Sequence, residues 1–323
     1  MNSGTVERRS GLTYQAFRHE YLDPRKPVIL TDALEQCAAR TRWTPEYFKE
    51  RFGRRTVHTD TGTMSLEAMI DCILDPSKTT PFLRERPLPW LFPEILPDLA
   101  PYPLAATPNW LEYPFARWPD PIRRGFAAML IRLAQTDINL TGANVRFPYL
   151  HLDRFHCHAT IMQWYGRKEF FVFAPSDTEN IYPKDGEDVS QIEDVEHVDL
   201  KRFPKFSNAN MIRFTLNPGE TLFVPSGWWH TTRTLDVSIA TVISFANASN
   251  WNYLVRHMFP QGWKGKVIFT PYAAYLVALG LFRLPFWHAP NAADPLTAAA
   301  ALKLFEQRVG AWMQHLPESK YSN

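Results

Sequence analysis

Three side chains in this sequence have the types and spacing to hold a metal ion. His151 and Asp153 stand two apart in the apolar run Tyr149-Leu-His-Leu-Asp153, so on a strand both leave the same face. His230 closes the segment that starts at Glu220 and runs through Pro225-Ser-Gly-Trp-Trp, which reads as strand, tight turn and the start of a second strand. Two imidazoles and one carboxylate form the facial ligand set of non-haem Fe(II) centres, which keeps coordination positions open for a cosubstrate and oxygen. The spacing alone is compatible with less. A buried histidine beside an aspartate is common in cores, and His230 can equally cap a strand or pack on Trp229.

The chain that must position these groups has 323 residues, enough for one catalytic domain with an accessory segment. Hydrophobic residues at 45% and charged residues at 21% are ordinary globular values. Aromatics at 14% are high and suit an interior lined with large side chains or an apolar partner surface. A net charge of +2 gives no electrostatic case for nucleic acid as a partner. Cys37, Cys72 and Cys157 are odd in number and lack CxxC spacing, which argues for a reducing compartment and against a zinc module. The first residues lack the apolar core of a signal peptide, so a cytoplasmic location is expected.

The first third reads as helices around one strand. Tyr14, Phe17 and Tyr21 recur at helical spacing across Leu12 to Tyr21. Lys26-Pro-Val-Ile-Leu30 reads as a short strand behind a proline. Trp43 to Gly53 is a helix in which Thr44 caps, Pro45 takes the first turn, Gly53 stops and Trp43 staples to Phe48. Met64 to Leu74 is a second helix. Residues 81 to 121 are crowded with proline and aromatics, which excludes long regular elements and leaves either a substrate-side rim or a passive connector. Ile122 to Gln135 is expected as a further helix.

From Asp137 to Asn247 the pattern changes to short strands with turn signals, as in a jelly-roll or cupin barrel. Ile138–Thr141, Tyr149–Asp153, Ala159–Tyr165, Glu169–Phe173, Thr221–Val224 and Val237–Phe245 are strand candidates. Lys184 to Asp199 carries seven carboxylates and reads as a solvated acidic loop, with attraction of a basic substrate the lesser alternative.

His151-Leu-Asp153, then Gln163-Trp-Tyr-Gly-Arg-Lys-Glu-Phe-Phe-Val-Phe-Ala-Pro175, then Asn217-Pro-Gly-Glu-Thr-Leu-Phe-Val-Pro-Ser-Gly-Trp-Trp-His230 resembles the JmjC/cupin-like 2-oxoglutarate oxygenases. The matching pieces come in that family's order and span residues 12 to 250. The resemblance implies a mainly β fold with α additions, a double-stranded β-helix barrel with N-terminal and C-terminal helices. It implies an oxygenase domain over 1–250, with its core at 137–247, and a helical segment over 251–323. It also implies Fe(II) on His151, Asp153 and His230, with 2-oxoglutarate and O2 as cosubstrates. In one oxygenase pattern an arginine ten residues after the second histidine binds the distal carboxylate, but that position is Ala240. The JmjC-like pattern uses a lysine after the glycine turn, and Lys168 in Gly166-Arg-Lys168 matches it. Thr232, two beyond His230, is expected to hydrogen-bond the cosubstrate, and Ser244 stands where relatives often place an asparagine contact.

Three departures accompany the likeness. The interval from Asp153 to Gly166 is longer than in many relatives, so Arg154 to His158 is expected to bulge. Phe147-Pro148-Tyr149 replaces a Ser or Thr before the HxD. His156 and His158 offer alternative ligands, although rim or strand histidines are the preferred reading. The expected activity is hydroxylation of an unactivated carbon in a peptide side chain or a small amino-acid or natural-product substrate. The alternatives are a cupin-fold binding or scaffold protein without turnover, and a metal-dependent cupin enzyme that does not use 2-oxoglutarate. Tyr272 to Phe282 is uncharged but too short to cross a bilayer, so no membrane partner is expected. Leu302, Phe305, Val309, Trp312 and Leu316 form an apolar helical stripe, for which a homodimer contact competes with packing on the barrel.

Overall fold

The computed structural model describes residues 5–101, 103–106, 109, 136–247, 249, 250 and 253. Its strands are β1 (Glu7–Arg9), β2 (Val28–Leu30), β3 (Thr56–Thr59), β4 (Gly62–Ser65), β5 (Phe82–Pro87) and β6 (Thr136–Thr141). They continue with β7 (His158–Tyr165), β8 (Lys168–Phe173), β9 (Ile212–Leu216), β10 (Thr221–Val224), β11 (Trp229–Thr234) and β12 (Ser238–Phe245). One sheet runs β1-β2-β10-β7-β12-β6-β5, a smaller one runs β11-β8-β9, and β3 pairs with β4 as a separate hairpin. All pairs are antiparallel except β1 with β2.

Alternation along the strands decides what each sheet face buries. On one face of the large sheet, Met162, Trp164, Ile239 and Ile243 pack with Trp43, Phe48, Phe52 and Ile70 of the N-terminal helices. On its other face, Ala159, Ile161, Leu222 and Val224 meet Phe170, Val172 and Leu216 of the small sheet. The two sheets therefore pack face to face. This mixed α/β arrangement of antiparallel sheets is consistent with a cupin domain. The outer face of the small sheet buries Phe171, Phe173 and Trp229 against Leu150, Leu152, Ile192 and Val195.

The helix Pro45–Phe52 begins as its sequence dictates: the Thr44 hydroxyl accepts from the Tyr47 N–H at 3.2 Å, and the Trp43 and Phe48 rings meet edge-on at 5.6 Å. Gly53 ends it with φ −52, outside the left-handed region. Glycine is required there because a Cβ would collide with the Lys49 carbonyl. The second helix is shorter than expected, Leu66–Leu74 with a Ser65 cap, because Met64 joins the β3–β4 hairpin. That hairpin and β1 correct the expectation of a single N-terminal strand. Of the hairpin strands only Val57 is buried, so no apolar alternation marked them.

Tyr149–Asp153 is also not a regular strand; His151 makes one isolated bridge on each side. The acidic stretch is more engaged than a solvated loop. Ile192 and Val195 are buried, Glu196 pairs with Arg146 at 2.9 Å and Arg233 at 3.1 Å, and Asp194 pairs with Arg146. The proline-rich stretch holds β5, a one-turn helix at Leu88–Leu91 and a 3-10 turn at Pro93–Leu99. The helix expected at Ile122–Gln135, the uncharged stretch Tyr272–Phe282 and the stripe from Leu302 to Leu316 lie outside the described residues. Among the described residues, no helix is long and apolar enough to cross a membrane.

Candidate metal centre

The two histidines meet through their backbones. His151 N–H donates to the His230 carbonyl at 3.0 Å, and His230 N–H donates to the His151 carbonyl at 2.8 Å. On its other edge the HxD segment is held by the acidic loop, with Leu152 N–H on the Asp188 carbonyl at 2.9 Å and Ser190 N–H on the Leu150 carbonyl at 2.8 Å. Leu150 and Leu152 point into the outer core, so His151 and Asp153 leave the opposite face, toward the space between the sheets.

There, one ligand atom from each of His151, Asp153 and His230 lies within 4.8 Å of the others. The imidazole centroids are 4.3 Å apart, and His230 Nε2 stands 3.9 Å from Asp153 Oδ2. Nδ1 of His230 lies 3.2 Å from the Trp228 carbonyl, and Nδ1 of His151 lies 3.4 Å from that of Tyr149. A proton on each Nδ1 fixes the tautomer and leaves Nε2 as a lone pair for a metal. Phe147 stacks on His151 at 4.8 Å, and Tyr149 meets it edge-on at 5.2 Å.

Burial pushes the Asp153 carboxyl up to about 6, against the pull of His230. Burial and the neighbouring His230 hold the His151 imidazole well below its ordinary value. A carboxylate that resists staying anionic beside the His151 imidazole, which resists protonation, belongs to a donor set that a divalent cation would complete. The triad is consistent with Fe(II) binding.

Lys168 follows Gly166, whose φ of +64 makes the turn between β7 and β8 and whose Cβ position is blocked by the Val237 carbonyl. The β8–β11 register sets Val172 opposite His230, Phe170 opposite Thr232 and Lys168 opposite Thr234. Opposed residues of an antiparallel pair share a face, and Phe170 and Val172 belong to the inter-sheet core. Lys168, Thr232 and His230 therefore face the same space, with Lys168 four positions below the histidine, roughly 13 Å along the strand. Lys168 is 5% exposed, burial lowers its ammonium to about 8, and no carboxylate lies within ion-pair distance among the described residues. A buried ammonium left without an anion is costly, and the position fits a ligand carboxylate. Ser244 on β12 is half-buried opposite Ala159 and shares that residue's face. Ala240 lies on the same face, opposite Gln163, and supplies no cation.

His158 lies outside the ligand group. Its Nδ1 accepts from the Ser226 N–H at 3.0 Å, its Nε2 reaches the Ser249 hydroxyl at 2.8 Å, and burial depresses it to about 3. His156 sits at the rim, with Nε2 3.6 Å from Asp188 and its ring parallel to Tyr253 at 6.2 Å. The extra length after Asp153 forms a 3-10 turn in which Phe155 and His156 take left-handed φ values of 57 and 53. Sequence reasoning missed Arg84 of β5, whose guanidinium lies 5.5 Å from both the Phe147 and Tyr149 ring centres. Arg84 shares its proline-rich stretch with Arg86, and nothing in the sequence singles out one of the two.

Residues 139–253 match the cupin-like domain family. The chain is 28% identical over 242 residues to Lysine-specific demethylase 8 of Xenopus tropicalis, covering 69% of this chain and 49% of that protein. It is 39% identical over 100 residues to HSPB1-associated protein 1 of Rattus norvegicus, covering 29% and 20%. Against Arginine-specific demethylase JMJ20 of Arabidopsis thaliana it is 24% identical over 275 residues, covering 78% and 59%. The chain spans less than two thirds of each of these relatives. It carries a cupin-like domain and is a distant homologue of the JmjC/cupin-like proteins.

Proposed function

We propose that this chain is an Fe(II)/2-oxoglutarate-dependent oxygenase that hydroxylates an unactivated carbon of a peptide side chain or a small amino-acid-like substrate. The observation that carries the reading is the convergence of His151, Asp153 and His230 on the inter-sheet face that also holds the buried Lys168, which has no carboxylate within ion-pair distance among the described residues. We take closure of the two sheets into a double-stranded β-helix, with residues 1–250 as the catalytic domain, to be part of the same reading.

In this assignment His151, Asp153 and His230 hold the metal on one face. Lys168 binds the distal carboxylate of 2-oxoglutarate, Thr232 lies between them on the same ladder, and Ser244 lines the opposite sheet. Iron(II) with 2-oxoglutarate and oxygen supplies oxidative decarboxylation to succinate coupled to hydroxylation of a C–H bond. The chain contributes position and dryness: Phe147 fixes the His151 ring, and Phe170 and Val172 wall the path between metal and Lys168.

The test is conversion of 2-oxoglutarate to succinate by the iron-loaded protein, measured with and without a substrate panel. Iron-loaded protein that binds metal yet forms no succinate with any panel member overturns the reading in favour of a metal cupin without 2-oxoglutarate. Two relatives carry demethylase names, so formaldehyde is measured in the same assay. Its release from methylated peptides replaces hydroxylation with demethylation.

A further inference from the structure

The rim of the metal centre holds a second cation that the proposed cosubstrate site does not use. Leu83 pairs with Leu140 and packs in the core with the N-terminal helices, so Arg84 leaves β5 on the other face. Phe82, two residues earlier on that face, meets Phe147 at 6.3 Å, and Phe147 in turn stacks on His151. The guanidinium of Arg84 stands over Phe147 and Tyr149 at 5.5 Å from each, one ring removed from a metal ligand.

Local backbone geometry aims this side chain. The β5–β6 ladder is irregular between Leu83 and Arg86, and Glu85 takes φ 48. The buried Asn139 side chain holds the irregularity by accepting from the Glu85 N–H at 3.0 Å. Bulges re-aim side chains near active sites, and a strained non-glycine residue persists only where its surroundings fix it.

Arg84 packs on aromatic rings, as Arg25, Arg51 and Arg202 also do. Arg42, Arg55, Arg146, Arg213 and Arg233 each pair with a carboxylate. Among the described residues none lies within ion-pair distance of Arg84. A ring contact does not use up the guanidinium N–H donors, which suit a bidentate carboxylate, and among the described residues no side-chain hydrogen bond from Arg84 takes them.

We propose that Arg84 recognises a carboxylate of the substrate, so that this centre acts on an acid-bearing molecule, a free amino acid or an acidic or C-terminal peptide residue. The proposal rests on the oxygenase reading above. Lys168 serves the cosubstrate from β8, and Arg84 orients the substrate from β5, over Phe147 and Tyr149. Glu85 and Asp188 on the same rim define the opposite outcome, in which a cationic side chain binds instead.

The test uses the full chain loaded with Co(II) and 2-oxoglutarate, probed by calorimetry with free amino acids, their α-amides, and short peptides as acids and as amides. The same pairs are compared for stimulation of succinate release by the iron-loaded protein. At least one acid should bind about ten-fold or more tightly than its amide, the size of one charge-assisted hydrogen bond. Arg84→Gln should bring each pair within about two-fold, and Arg84→Lys should restore part of the preference. Equal binding of acids and amides by the wild-type protein overturns the proposal without any variant. So does a preference that survives Arg84→Gln in protein that still melts cooperatively, or tightest binding of a cationic peptide. Acid-selective binding without succinate would refute the oxygenase reading alone, whereas succinate release without acid preference would refute the Arg84 assignment alone.

Discussion

His151 and His230 exchange both backbone hydrogen bonds, at 3.0 and 2.8 Å, in a bridge with no continuing ladder at that point. The two imidazoles are thus brought to 4.3 Å by a single pair of residues, and their flanks must hold the rest. On one flank, Val189 bridges to His151. On the other, Arg146 bridges to Arg233, tying the two segments together before one histidine and after the other.

Glu196 grips both of those arginines, at 2.9 Å and 3.1 Å. Glu196→Gln should lower unfolding free energy by about 1–2 kcal/mol, since a neutral amide cannot serve two guanidiniums that are themselves partly solvated. It should also weaken Co(II) binding by up to about ten-fold, the lower range for loss of a supporting contact. Denaturant melts and metal titrations at two salt concentrations measure both. Unchanged affinity with reduced stability would make the clamp structural only.

Asp153→Ala should cost more than about a hundred-fold in Fe(II) or Co(II) affinity, beyond what supporting contacts contribute. The apo protein should not be destabilised, because Asp153 is a buried carboxyl pushed up to about 6. In the wild-type protein that same carboxyl must be ionised to ligate. Metal affinity should therefore fall as pH drops through about 6, on top of competition at the imidazoles. Metal stoichiometry after gel filtration from pH 5 to 8 checks both statements.

The sequence made the site more legible than its frame. His151, Asp153 and His230 stand in short motifs, and the fold brings one ligand atom of each within 4.8 Å of the others, with Lys168 on the same strand face as His230. The β3–β4 hairpin did not show because its polar strands bury only Val57, and Tyr149–Asp153 was read as a strand because local alternation cannot reveal how many residues find a partner. Arg84 is the deeper omission. Its place depends on a bulge pinned by Asn139, fifty-odd residues away in sequence, and no pattern along β5 encodes that contact.

His158 should act through stability alone. With Nδ1 accepting from the Ser226 N–H and Nε2 on the Ser249 hydroxyl, it is held neutral, and burial sets its proton affinity to about 3. Between the ordinary imidazole value and about 3, the unfolded chain binds a proton that the folded chain does not. This residue's contribution to stability is therefore lost as pH falls through that window. His158→Ala should destabilise by about 2–4 kcal/mol, through an unpaired amide and a cavity, and should flatten the acid limb of the stability profile. Retained Co(II) affinity in the variant separates it from the metal ligands; a large loss would return His158 to the ligand set.

Lys168 offers the sharpest separation of stability from function. The folded chain lowers its ammonium from 10.5 to about 8 by burial, so protonated Lys168 works against folding by up to on the order of 3 kcal/mol. The sign follows from proton counts: between about 8 and 10.5 the unfolded chain holds the extra proton, so this residue's penalty shrinks as pH rises through that window and is full below it. Lys168→Met keeps the stem, removes the charge, and should raise the melting temperature of the apo protein at neutral pH. The same substitution should abolish stabilisation by 2-oxoglutarate of the Co(II)-loaded protein, while Co(II) itself still binds at His151, Asp153 and His230. Residues that buy function with stability behave in this way, gaining on truncation what the ligand no longer supplies. Thermal melts with and without 2-oxoglutarate decide it: a destabilised Lys168→Met protein, or one still protected by 2-oxoglutarate, would remove Lys168 from the cosubstrate site.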